Sequence, residues 1–155
     1  MRTFKKEEGQ TLIETAFVLF LLLLILLGIT EFSRAWYTKN SIKNAARSGA
    51  RVAVVTPTGN FPADCDFSSN PSGWTQCPNA NVIINAVCSQ PGVVAANTRV
   101  CVDQIDDNGT SGFQSGDTVR VSANYNNPNF FVVGNSPWPW PKGLNMTTDA
   151  SMRYE

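Results

Sequence analysis

The hydrophobic and polar positions of this chain fall into two kinds of pattern. From Leu12 to Ile29 the residues run apolar, interrupted only by Glu14, Thr15 and Gly28, and as a helix rising about 1.5 Å per residue that run roughly spans a hydrocarbon core. A cleaved secretory signal has a shorter apolar region that ends in a small-x-small site, whereas here the Leu-rich run passes straight into Thr30-Glu31-Phe32. The pattern predicts a retained single membrane span. Beyond it, Phe32, Ala35, Trp36, Ile42, Ala46, Gly49, Ala50 and Ala53 recur largely at helical spacing with no internal Pro, so the helix is expected to continue to about Val55 and stop at Thr56-Pro57. The small residues Ala46, Gly49, Ala50 and Ala53 predict close approach by a sheet or another helix. Lys39, Lys43, Arg47 and Arg51 form a separate stripe, read as a solvated face. Phe32, Trp36 and Tyr37 follow the span at the depth where aromatic side chains favour the headgroup boundary.

The remaining chain reads as small elements. Pro57 to Pro78 is rich in Pro, Gly, Asn and Ser and predicts a stapled loop. Asn79 or Asn81 is placed to cap a short helix through about Ser89, ended by Pro91-Gly92, with Val82, Ile83, Ala86 and Val87 on its buried face. Arg99 to Ile105 and Asp117 to Tyr125 alternate as strands, with Val119, Val121, Ala123 and Tyr125 facing one way and Arg120, Ser122 and Asn124 the other. A final strand from about Leu144 to Tyr154 adds Leu144, Met146, Ala150 and Met152. The expected fold class is α+β and pilin-like: a long N-terminal helix, transmembrane then amphipathic, packed on a small antiparallel sheet, with a short second helix and disulfide-stapled loops. The expected organisation is a leader over 1–9, a transmembrane helix over 10–30, its extension outside the membrane over 31–56, and an extracytoplasmic domain over 57–155.

Composition narrows the chemistry. The chain has no histidine, which removes the commonest general base and metal ligand and any Ser-His-Asp or Cys-His arrangement. No enzyme, cofactor or metal is expected. Asp103 to Gly109 suggests calcium at first sight, but alignment on Gly109 puts Gln104 and Ser115 where an EF-hand needs Asp and Glu, so Asp-Asn-Gly reads as a turn. The 12 basic and 12 acidic residues balance, leaving no overall electrostatic footprint for nucleic acid.

Basic residues flank the span on both sides, so charge alone does not orient it. Cys65, Cys77, Cys88 and Cys101 do: an even number in a short region without a zinc-type spacing predicts disulfides in an oxidising compartment. Of the three connectivities, Cys65 with Cys77 and Cys88 with Cys101 are expected, because each closes a short loop.

A carboxylate within the apolar run carries a cost unless it is paired or near the headgroups, which draws attention to Glu14. Its surroundings, Lys5-Lys6-Glu7-Glu8-Gly9-Gln10-Thr11-Leu12-Ile13-Glu14, resemble the type IV prepilin processing site. That resemblance implies cleavage between Gly9 and Gln10 by a prepilin peptidase, with Glu14 placed to meet the new N-terminal ammonium of a neighbouring subunit. Three longer stretches, Gly9 to Ala16, Gly28-Ile29-Thr30-Glu31-Phe32-Ser33-Arg34-Ala35, and Asn44-Ala45-Ala46-Arg47-Ser48-Gly49-Ala50-Arg51-Val52-Ala53, resemble the TadE family of tight-adherence (Flp) pilus systems. Phe20 departs from the proline that the family often carries in the span, which predicts a straighter helix.

The resemblance implies a minor pilin or pseudopilin acting in Flp pilus assembly. Its partners would be prepilin peptidase, other pilins or pseudopilins, an inner-membrane assembly platform and membrane lipid. It would sit in a bacterial inner membrane, N-terminus cytoplasmic and C-terminal domain periplasmic or extracellular. An alternative comes from Phe130, Phe131, Trp138 and Trp140, with prolines around the tryptophans: a membrane-anchored or pilus-tip binding module that contacts a surface or ligand through this loop.

Overall fold

A computed structural model describes residues 7–56, 74–105, 115–131 and 143–154. The first helix, α1, is Glu7–Val55. It begins in one compact unit, Met1–Ala35, and continues into a second, Trp36–Glu155.

In the first unit α1 stands without tertiary cover: every residue from Leu12 to Ile29 is exposed. Its polar side chains close on their own helix, Thr15 Oγ1 donating to the Thr11 carbonyl and Thr30 Oγ1 to that of Leu27, each at 2.8 Å. Such local bonds satisfy hydroxyls that apolar surroundings would otherwise strand.

In the second unit the helix acquires a buried stripe. Thr38, Ser41, Ile42, Ala45, Ala46, Gly49, Ala50 and Ala53 are buried, alternating steps of three and one as a single helix face requires. Phe32 and Trp36, grouped with this periodicity from the sequence, are exposed instead. The stripe passes through Thr38, so those aromatic side chains fall on another side of the helix.

Opposite the stripe lie a short helix and a sheet. The helix α2 is Val82–Cys88, capped by the Asn81 side chain, which accepts from the Ile83 amide. Its buried residues are Ile83, Ile84 and Val87, while Val82 is exposed. The expected face was therefore off by one position at its start, because the helix begins at Val82 and turns that first side chain outward. The strands are β1 (Thr75–Gln76), β2 (Thr98–Ile105), β3 (Thr118–Asn127) and β4 (Leu144–Arg153). They form an antiparallel sheet in chain order. The expected α+β fold is present, and β1 adds a strand inside the segment read as a loop. Two residues are too few to show alternation.

Register explains the burial. Val102 pairs with Val121 and Val121 with Ala150, while Val100 pairs with Ala123, so one sheet face is a block of Val and Ala. Gly49 closes the contact: a Cβ added there would lie 2.4 Å from Val87 Cγ2 and 3.2 Å from Val121 Cγ1. Only hydrogen fits where helix, helix and sheet converge, as the small residues in the sequence foretold. The opposite face is polar, with Arg120 paired to Asp103 at 2.7 Å and Asn124 donating to Asn145 and Thr147 across the strands.

The disulfide is Cys77–Cys88, with Cα atoms 5.7 Å apart. This corrects the expected pairs Cys65–Cys77 and Cys88–Cys101. Cys77 follows β1 and its amide donates to the Thr98 carbonyl at the start of β2, while Cys88 is the last residue of α2. The bond thus ties the end of α2 to the edge of the sheet. Loop length did not discriminate between pairings, since the observed loop is also short at a separation of 11. Cys101 is disulfide-bonded and fully buried; Cys65 lies outside the described residues.

Candidate functional site

The residues read as functional from the sequence gather on α1. Gly9 and Gln10 lie within the helix, which starts at Glu7. A Cβ added at Gly9 would meet nothing within 4 Å. The peptide bond after Gly9 is helical, and a protease that takes an extended strand must first fray this turn. Helix ends fray readily, and glycine weakens them further. Glu14 is exposed one turn beyond Gln10, beside Thr11 and Thr15 at the start of the apolar run.

The apolar surface around Glu14 is the dominant feature. Exposure runs from 46% at Leu27 to 74% at Ile13, with Phe17, Phe20 and the leucines between. At roughly 1.5–3 kcal/mol for each large apolar side chain left in water, such a surface needs a covering of lipid or protein. It includes a segment long and apolar enough to cross a membrane, which points to a membrane anchor.

Past the apolar run, Glu31 and Arg34 make an i,i+3 ion pair at 3.7 Å, the Glu31 side chain being 14% exposed. Trp36 and Tyr37 are exposed, and Lys39 Nζ lies 5.9 Å from the Trp36 ring centroid. Lys39, Lys43, Arg47 and Arg51 are all exposed, as expected of a solvated face.

Within α1 the Glu31–Arg34 pair and the small-residue stripe Ala45-Ala46, Gly49-Ala50 occupy the positions from which the family resemblance was drawn. Residues 9–51 match the family model described as TadE-like protein. Over that segment the chain is similar to the TadE-like family. The match begins at the glycine of the processing motif and ends within the helix stripe that packs on α2 and the sheet. The match covers less than half of the chain, and the sequence outside it is not part of the likeness. No curated protein and no solved structure matches the chain.

The aromatic residues proposed for binding separate. Phe130 is buried at 5% exposure, its ring edge-on to Tyr125 at 6.2 Å and to Phe131 at 5.1 Å. It is a core residue just beyond the end of β3, which withdraws it from any contact surface. Phe131 is half-buried. Trp138 and Trp140 lie outside the described residues, as does Asp106 to Gly109 of the Asp-rich turn. Among the described residues no group of His, Cys, Asp or Glu is arranged to hold a metal.

Sequence reasoning missed the turn that follows α2. The Ser41 hydroxyl donates to the Pro91 carbonyl, and Gly92, at φ +82°, sits where a Cβ would come within 2.5 Å of Ser41 Oγ and 3.0 Å of Tyr37 Oη. Pro91-Gly92 was legible as a helix stop, but nothing in the pattern announced that this turn docks on α1.

Proposed function

We propose that this protein is a minor pilin or pseudopilin that acts in assembling a Flp pilus, after prepilin peptidase removes residues 1–9. The supporting observation is the placement of Glu14: an exposed carboxylate, the only charged residue from Gly9 to Thr30, four residues after Gln10 and within the segment that matches the TadE-like family. Cleavage would give Gln10 a free ammonium, and a carboxylate at this level on a neighbouring helix would neutralise it. In surroundings of low dielectric that attraction is strong, and it offsets the desolvation of both groups only when the two charges meet. The apolar surfaces flanking the pair would be buried in the same step.

In this reading the membrane anchor lies in the bacterial inner membrane with the disulfide-containing unit on the oxidising side, where Cys77–Cys88 persists. Partners are prepilin peptidase, other pilins and the assembly platform. The alternative, a binding module acting through the aromatic loop, loses Phe130 to the core.

Intact mass and N-terminal sequencing of protein taken from its own membranes test the first step. A chain starting at Gln10 is expected, and one starting at Met1 or Arg2 removes the processing reading. Glu14→Ala then tests assembly, the expected result being loss of pili with the mature N-terminus and the melting of the disulfide-bonded unit unchanged. Normal pilus number in that variant would remove the pairing role of Glu14.

A further inference from the structure

The two edges of the sheet in the second unit, Trp36–Glu155, are built differently. One edge is β1, a strand of two residues. The other is β4, ten residues long with an unbroken register on β3, and among the described strands none lies beyond it. Folded proteins ordinarily blunt such an edge with a short strand, a bulge, a lysine, a proline or a charge turned inward. β4 has none of these. Its side toward the Val and Ala block carries Leu144, Met146, Thr148, Ala150 and Met152, all half-buried, whereas Val119, Val121, Ala123 and Tyr125 beside them on β3 are buried. The apolar face is incomplete along β4, and one more strand would complete it.

The backbone shows which groups remain for that strand. The Tyr154 amide donates to the Asp117 carbonyl at 2.8 Å, and its carbonyl accepts from the Gly116 amide at 2.7 Å, so residue 154 turns both groups toward β3. In an antiparallel ladder this direction alternates residue by residue, so Asn145, Thr147, Asp149, Ser151 and Arg153 turn theirs outward. Asn124 reaches Thr147 Oγ1 at 2.9 Å, the closer side-chain approach of a pair that exchanges no backbone bonds. The side chains of these outward residues are exposed on the polar face. Two are charged, Asp149 and Arg153, four residues apart and opposite in sign.

We propose that β4 pairs with β4 of a second copy of this chain, antiparallel about a two-fold axis at Ser151. Each Ser151 then exchanges both backbone bonds with its counterpart, and Asp149 of each copy stands opposite Arg153 of the other. On the apolar face Ala150 meets Met152 of the second copy, small against large. An axis at Asp149 would set two carboxylates face to face, and one at Ala150 would set Asp149 opposite Ser151; the Ser151 axis joins both charges to their opposites. Arg153 Nε already donates to the Gly116 carbonyl at 2.9 Å, which uses one guanidinium donor and leaves others for a carboxylate. The axis stands perpendicular to the sheet, so both copies keep their helices on the same face of the joined sheet, running in opposite directions. The inference stands within the second unit and draws on nothing in the functional reading above.

The test introduces one cysteine, at Ser151 or at Asn145, into the full chain, and treats membranes that contain it and their detergent extracts with a short bis-thiosulfonate cross-linker. In the proposed pair the two Ser151 Cα atoms are about 5.5 Å apart and the two Asn145 Cα atoms about 40 Å. Ser151→Cys is expected to give at least about tenfold more covalent dimer than Asn145→Cys. Adding Asp149→Arg to Ser151→Cys sets cation against cation and should lower the dimer at least about fivefold, and Arg153→Asp in the same chain should restore it. All four positions are exposed, and near-ultraviolet circular dichroism checks that each variant keeps the second unit folded. Equal cross-linking at both positions, or none at Ser151, overturns the self-pairing. An adduct of Ser151→Cys with a different protein in place of the dimer also overturns it, and gives the edge to a foreign strand. A loss with Asp149→Arg that Arg153→Asp does not restore overturns the register.

Discussion

One helix in this protein meets two environments, and the residues chosen for each differ more in size than in polarity. Between Leu12 and Ile29 the side chains are mostly large and all are exposed; between Ala45 and Ala53 the buried ones are Ala and Gly. Hydrophobicity alone would have called the first stretch core and the second surface. Lipid is fluid and accepts side chains of any outline, so large residues there gain transfer energy without needing complementary shape. A folded partner is close-packed, and a helix that approaches within reach of Val87 and Val121 has room for no more than a methyl group, or for none.

That contrast is most directly broken at Gly49. Gly49→Leu forces a side chain into Val87 and Val121 and is expected to destabilise the second unit by about 3 kcal/mol or more. Urea unfolding of the full chain in mild detergent, followed by near-ultraviolet circular dichroism, reads the effect. A shift under about 0.5 kcal/mol would mean that α1 does not pack here as described. The disulfide ranks next. Replacing Cys77 and Cys88 together with Ser removes a cross-link over a short loop and should lower stability by about 3 kcal/mol, a little less than Gly49→Leu. Peptide mapping without reductant should recover these two cysteines joined, whereas a peptide joining Cys88 to Cys101 would restore the pairing expected from the sequence.

Smaller effects follow at the docked turn and on the polar face. Gly92→Ala must hold an L side chain at φ +82° and push against Ser41, for an expected loss of about 2 kcal/mol. Asp103→Asn leaves Arg120 partly buried without its ion partner. Because that guanidinium side chain is 32% exposed, water compensates and the loss should be near 1 kcal/mol.

How much of this was legible beforehand follows the same physics. The long apolar helix, its end near Val55 and the longer strands were readable because each repeats a pattern over many residues. A cap at Asn79 or Asn81 was readable because capping is local chemistry, and Asn81 fills it. Strand β1, the Cys77–Cys88 pairing and the seat of Gly92 were not, since each depends on residues far apart in sequence meeting in space. Phe130 shows the limit from the other side: among prolines and tryptophans it looked like a surface anchor, yet one edge-on contact with Tyr125 makes it core. At the candidate site, the residue types of Gly9 and Glu14 were readable, and their exposure on an unpacked helix was not.

The smallest expected effect is the one that best separates the two halves of α1. Leu22→Ala removes a large apolar side chain, and in a packed core that would cost about 2–5 kcal/mol. Leu22 is 55% exposed, so the unfolding of the second unit should move by less than about 0.5 kcal/mol. The loss should appear instead as weaker retention in the membrane, read as the fraction extracted by a graded series of detergent. If Leu22→Ala destabilised the second unit as Gly49→Leu does, the apolar run would be packing against protein, and size would no longer distinguish what faces lipid from what faces the fold.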